Sequence, residues 1–235
     1  MNKRNTERKP SVQNRSGGRL SRRKMRIWRW LATLVLVAVI LTVRLVERIG
    51  DDAVPDDRFV VVKVLDGDTV ELRGGDEVRL LSIDTPEKGR AFYDRATAFT
   101  SRLCLGKAAR IEYARRRRDK YGRLLGYLYV DDLFVNSELV DSGYANLYLF
   151  RDTDISREET RVLLEAQRRA IRSGAGIWSV EHPSESEYIN LAGSYRFHRP
   201  GCRSIENRRS GQYRSFDSRT EAALTGLSPC RRCQP

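Results

Sequence analysis

The stretch "VRLLSIDTPEKGR", residues 78–90, sets the hardest constraint on the fold of this chain. Val78–Ile83 reads as a core β-strand. In a regular strand Arg79 shares a face with Leu81 and Ile83, because successive side chains alternate. A cation on an apolar face demands an anionic partner. Asp84 and Glu87 follow the strand, yet alternation points Asp84 to the opposite face. Thr85 precedes a proline and is biased to extended backbone, and Pro86 cannot continue a ladder. A bend here re-aims both carboxylates toward one site. An ordinary Asp-Pro turn is the alternative reading.

Neighbouring segments place this strand in a sheet. Phe59–Leu65 and Thr69–Arg73 read as strands, and "RGGD" at 73–76 reads as the hairpin turn before the third. Phe92, Ala96, Phe99 and Leu103 line one face of a helix over 90–105. Ala109–Tyr113 and Leu124–Val130 are further strands, separated by the polar loop "RRRRDKYG", and "VDDLFVN" is a turn plus strand. Asn136 is expected to cap a short helix closed by Gly143. Ser156 is expected to cap a longer helix to about Arg172, with Glu159 in the capping-box position and Gly174 and Gly176 ending it. Five short strands followed by helices predict a mainly β, α+β fold. Its centre is a five-stranded Greek-key barrel of the OB type with packing helices, over 59–180.

The formal net charge of +13 invites a nucleic-acid reading, but its location matters more. Residues 1–29 hold eleven Lys and Arg against Glu7 alone, a net of +10, which leaves +3 for the remainder. The high pI therefore says little about substrate. Residues 1–26 lack apolar periodicity and are expected to be disordered. The charge-free run 30–43, "WLATLVLVAVILTV", abuts this basic tail. Residues 27–46 read as a single-pass signal-anchor of about 20 residues, N-terminus cytoplasmic and the rest of the chain extracytoplasmic. A cleaved signal peptide, which would release a secreted protein, and a buried core helix share the outline. Residues 47–58 read as an acidic linker, and 181–187 as a second.

Within 59–180 the acids and arginines cluster at strand ends. Asp66 and Asp68 flank a glycine in "LDGDTV". Arg79 begins a strand that ends in Asp84 and Glu87. Arg123 follows a Tyr–Gly turn. Each feature alone is ordinary: a turn, a surface cation, a solvated acid. A non-catalytic barrel that binds nucleic acid or protein would tolerate gaps among them, and none is missing.

The segments "DGDTVEL", "RLLSIDTPE", "ATAFTSRL", "DKYGRLLGYLYVDDLFVNSELVDSGYA" and "AQRRAIRSGAGIWS" together resemble the staphylococcal nuclease family, in order and over about residues 59–180. The resemblance implies an extracytoplasmic, Ca2+-dependent OB-fold nuclease acting on DNA and RNA. It implies Asp68, Asp84 and the Thr85 carbonyl as metal ligands. It implies Glu87 as general base or water-positioning group, Arg79 and Arg123 as phosphate-binding arginines, and Tyr121 and Tyr148 as substrate contacts. The chemistry agrees. Carboxylate and carbonyl oxygens suit Ca2+, whereas zinc favours His or Cys. Neither of the chain's two histidines lies in 59–180, so a carboxylate must serve as base. Tyrosines stack on any base, which predicts low sequence specificity. The stretch after Glu87 is shorter than the corresponding family loop. "RRRR" at 115–118 reads either as a solvated turn or as a backbone-tracking patch.

Cys104 reads as a buried, inert thiol. In residues 188–235, His198 and Cys202 precede Cys230-x2-Cys233, a ligand set suited to structural Zn2+. The segment is similar to the small metal-binding module of the Ada DNA-repair protein. A disulfide using Cys202 is the alternative in an oxidising compartment. Nothing points to a protein partner.

Overall fold

The computed structural model describes residues 30, 33–40, 42, 57–150, 157–206 and 212–235. The chain divides into two units, Met1–Val54 and Pro55–Pro235. In the first, residues 33–40 are helical and exposed. Among the described residues no helix is long and apolar enough to cross a membrane. Much of the expected 27–46 span, all of 1–26 and most of the 47–58 linker lie outside them.

The second unit begins with strands β1 (Val61–Asp66), β2 (Thr69–Leu72) and β3 (Glu77–Leu80), joined as an antiparallel meander. Strand β5 (Arg110–Arg118) pairs antiparallel with β6 (Leu124–Val130), β6 lies parallel to β3, and the short β7 (Leu133–Phe134) pairs antiparallel with β6. The order is β1-β2-β3-β6-β5. An antiparallel bridge from Val60 to Ala108, with Val61 N–H donating to the Lys107 carbonyl at 2.9 Å, joins the first strand to the segment before β5. The sheet thus closes in the order expected of an OB-fold-like barrel, which leaves no long free edge. The buried Val61, Val70, Val78, Leu80, Leu124 and Leu128 side chains belong to its core.

Three helices pack on the barrel: α1 (Tyr93–Cys104), α2 (Val135–Asp141) and α3 (Glu158–Ser173). Ala96, Thr100 and Cys104 are the buried face of α1. Gly174, with φ 63°, ends α3 as expected. Asn136 does not cap α2, whose first residue is Val135. It is buried instead, accepting from Leu128 N–H at 3.0 Å and donating to the Leu81 carbonyl at 2.9 Å. Ser156 lies outside the described residues. The run 115–118 is not a loop, because β5 continues through Arg118 with an irregular register after Tyr113.

The decisive departure from regular structure lies between β3 and β4 (Ile83–Asp84). The expected strand Val78–Ile83 breaks at Leu81–Ser82, where Ser82 takes φ 62°. A non-glycine residue in that region is held by its surroundings. Ser82 Oγ lies 3.1 Å from Tyr127 Oη, and its carbonyl accepts from Tyr148 N–H at 2.7 Å. The bend thus precedes Asp84 and does not depend on Pro86. Beyond it, β4 leaves the barrel sheet and pairs with β8 (Asn146–Leu147).

Residues 188–235 form a second sheet, β11-β9-β10-β12, from β9 (Tyr188–Leu191), β10 (Arg196–His198), β11 (Tyr213–Phe216) and β12 (Ser228–Pro229). Helix α4 (Arg219–Leu224) is capped by Ser218 Oγ, which accepts from Glu221 N–H at 3.0 Å. This module docks on the barrel's helical layer. Fully buried Gln167 accepts from Leu147 N–H and donates to the Ala223 carbonyl, both at 2.7 Å. Gln167→Met keeps the volume but leaves both backbone groups unpaired. We expect it to lower unfolding stability by about 3 kcal/mol in denaturant titration, since an unsatisfied buried group costs about 1–3 kcal/mol.

Candidate active site

Asp68 sits at the tight turn between β1 and β2. Gly67 permits that turn, because a Cβ there would lie 2.8 Å from Thr85 Oγ1 and 2.9 Å from Ala96 Cβ. The Asp66 carboxylate accepts from Asp68 N–H at 3.0 Å and orients the residue. The Asp68 side chain is buried. Its Oδ2 accepts from Thr85 N–H at 2.8 Å and from the Thr85 hydroxyl at 2.9 Å. Arg79 Nη2 faces the same oxygen at 3.0 Å.

That nitrogen also lies 3.4 Å from Asp84 Oδ1. One guanidinium group therefore joins both expected metal carboxylates, and the break at Ser82 is what makes this possible. Arg79 further donates to the carbonyls of Leu80 at 2.8 Å and Ile83 at 3.2 Å. Its side chain is only 15% exposed. The partner demanded by a cation on an apolar face is thus a pair of acids from two different turns. Their oxygen-only donor set, with the Thr85 main chain beside it, suits a hard cation such as Ca2+.

Arg123 is positioned by Asp119, a residue of the "DKYGR" motif to which the sequence assigned no role. Asp119 Oδ2 accepts from Arg123 Nε at 2.9 Å, with Nη2 at 2.8 Å. Its Oδ1 accepts from the N–H groups of Tyr121 at 2.9 Å and Arg123 at 3.1 Å. Burial raises the Asp119 carboxyl, but Arg123 and these N–H groups outweigh it and hold it below its usual range. Arg79 and Arg123 line one cavity of about 680 Å3 with Arg115, Arg116, Lys120 and Tyr121. Tyr121 is 71% exposed, with the Lys120 and Arg123 cations against its ring. Glu87 stands apart from the buried pair, with its side chain 75% exposed. The Tyr148 ring is covered by two guanidinium groups, Arg196 at 3.4 Å and Arg231 at 4.8 Å from its centre.

Arg231, between the two cysteines of the knuckle, carries no assigned role in the sequence. Its Nε donates to Asp84 Oδ2 at 3.2 Å and its Nη2 donates to Asp84 Oδ1. No spacing in the chain signals this contact, which spans 147 residues.

The His198, Cys202, Cys230 and Cys233 ligand atoms all lie within 4.8 Å of one another. Cys104, Cys202, Cys230 and Cys233 are free thiols in this structure. Burial alone would raise the Cys230 thiol, but hydrogen bonds from His198 and from the Cys233 and Arg232 N–H groups bring it down to about 6. A thiolate is the form that binds metal. Cys104 is buried, and its thiol is pushed up to about 12, as expected of an inert thiol.

Comparison with known proteins decides the family. The pattern of the staphylococcal nuclease homologues matches residues 77–180. A thermonuclease of Staphylococcus intermedius is 30% identical over 163 residues, which is 62% of this chain and 95% of that protein. The chain belongs to the staphylococcal nuclease family. An uncharacterized endonuclease of Escherichia coli is 37% identical over 127 residues, covering 52% of this chain and 78% of its own length. A third relative, an uncharacterized endonuclease of Haemophilus influenzae, is 35% identical over 146 residues, 58% of this chain and 78% of that one. The enzyme is a nuclease, a hydrolase. The family match ends at residue 180, before the Cys/His module begins.

Burial pushes the Asp68 carboxyl of the nuclease up to about 7, although Arg79 pulls it down. A carboxyl raised on folding opposes stability as it ionises. In the metal-free enzyme this contribution is present below the unfolded value near 4 and is lost as pH rises to about 7. Asp68→Asn removes the ionisation. We expect its metal-free thermal midpoint to lie several degrees above wild type at pH 8 and to match it more closely at pH 5. Added Ca2+ should raise the wild-type midpoint and not that of the variant.

Proposed function

We propose that the nuclease requires Ca2+ and hydrolyses phosphodiester bonds of DNA and RNA with little sequence preference. The observation that carries this reading is the joining of Asp68 and Asp84 by Arg79 at one edge of the cavity that Arg123 also lines. Asp68, Asp84 and the Thr85 carbonyl are the residues that would hold the ion. When bound, Ca2+ offsets phosphate charge and polarises a phosphoryl oxygen.

The chain's own groups supply the rest. Glu87 takes the proton of the attacking water as that oxygen bonds to phosphorus, and the ester oxygen leaves with the electron pair of the broken P–O bond and is protonated from solvent. Its exposed side chain, 4.0 Å from Arg231 Nη1, is open to water. Arg79 and Arg123 donate to the phosphate oxygens and gain strength as charge builds in the transition state. Asp119 keeps the Arg123 fork aimed, and Tyr121 offers a ring to any base. Tyr148 is proposed as a second contact, made through the arginines that cover its ring.

For Glu87→Ser and Arg123→Ala we expect Ca2+-dependent cleavage of single- and double-stranded DNA and of RNA to fall about 100-fold or more. A wild-type enzyme equally active in chelator would sink the Ca2+ assignment. Undiminished cleavage by either variant would sink that residue's role.

His198, Cys202, Cys230 and Cys233 are proposed to hold a structural Zn2+ in an Ada-like module. Roughly 40 residues rarely build a sufficient core without such a staple. Elemental analysis should find one zinc per chain in wild type and none in Cys230→Ser. Equal zinc contents would overturn the assignment. The basic tail and apolar run support a membrane-anchored or secreted enzyme facing out of the cytoplasm, with the exposed Leu34, Val35 and Leu36 side chains as a surface for lipid.

A further inference from the structure

We propose that Arg231 is a third phosphate-binding arginine of the nuclease site, delivered by the Cys230–Cys233 knuckle. The inference rests on the nuclease reading above and extends it to a module outside the family match.

Arg231 lines the same cavity as Arg79 and Arg123. Its guanidinium grips both oxygens of Asp84, and its Nη1 lies 4.0 Å from Glu87 Oε1. The ring of Tyr148 supports the group from below, and half of its side chain remains exposed. It therefore touches the carboxylate assigned to the metal and the carboxylate assigned to the water, with donors still open to solvent.

The position is held by backbone, not by a flexible arm. Cys230 N–H donates to the Phe197 carbonyl at 3.0 Å, and Gln234 N–H closes the knuckle on the Cys230 carbonyl at 2.8 Å. Just before it, Ser228 Oγ donates to the Leu147 carbonyl, and Arg196 Nη2 donates to that of Leu149 at 2.8 Å. Leu147 and Asn146 pair directly with Ile83 and Asp84 in β8 and β4. The knuckle and the carboxylate it meets are thus fastened to the same strand.

Charge decides what Arg231 does there. Asp84 already has Arg79 as a cation partner. If Asp84 held a divalent ion as proposed above, its oxygens would no longer be free to pair with Arg231. A guanidinium fixed beside a cation needs a new anion, and a substrate phosphate brings one in the geometry that a planar fork recognises. Arg231 thus waits on Asp84 and turns to phosphate when metal and substrate arrive. An inhibitory role predicts the reverse effect on binding, so the two are separable.

The test measures binding apart from cleavage. Full-length protein carrying Glu87→Ser, with Ca2+ present, is titrated with short fluorescein-labelled single-stranded DNA across a salt series. Adding Arg231→Ala should weaken Kd about 10-fold or more and make the log Kd against log salt slope shallower by about 0.7, the value of one lost phosphate contact on a single strand. Arg231→Lys should recover the slope and part of the affinity. Arg232→Ala, its neighbour on the knuckle, should change neither to the same degree. Unchanged or tighter binding with Arg231→Ala overturns the inference, and so does weaker binding at an unchanged slope, which marks a structural role. Failure of the nuclease reading shows separately, as wild-type protein that does not cleave or Glu87→Ser protein that does not bind DNA.

Discussion

The active site depends on one cation: Arg79, held between Asp68 and Asp84 at the edge of the cavity with its side chain 15% exposed. Buried charges are tolerated only when paired and hydrogen-bonded. Here Arg79 bridges the two acids, and Arg231 holds both oxygens of Asp84 as a second cation. The oxygen donors that this pairing gathers are the ones proposed above to hold a hard cation. Burial raises the Asp68 carboxyl although Arg79 pulls it down, so its ionisation works against the folded state.

Several local irregularities exist to make that triangle close. Gly67 lets the β1–β2 turn pass against Thr85. The left-handed Ser82 turns β4 out of the barrel sheet and brings Asp84 round to Arg79. Asn136 secures the break by donating to the Leu81 carbonyl from beneath. Regular strands would have served stability better, and the departures fall where the charges must meet.

Much of this was legible in residue order. Arg79 on an apolar face announced a buried anion, and the acids at strand ends were the natural partners. The meander, its "RGGD" turn and the helix over 90–105 followed from periodicity. The position of the bend was not legible, because Pro86 is a louder signal than a serine whose conformation is imposed by Tyr127 and Tyr148. Asn136 misled in the same way. An asparagine before a helical run is usually a cap, and only packing against Leu128 and Leu81 made it a core hydrogen-bonding residue. The four arginines at 115–118 looked like a turn because pairing with β6 is not written in composition.

The sequence by itself determined the family, the acids and arginines gathered at the strand ends, and the His198, Cys202, Cys230 and Cys233 cluster, since each rests on residue types at short, fixed spacings. Tertiary structure alone decided how the two sites meet. The contact between Arg231 and Asp84 crosses 147 residues. It exists because Gln167 and Ser228 dock the second sheet against β8, which pairs with the strand bearing Asp84. Such docking is a property of surfaces assembled by folding, and no local pattern of residues encodes it.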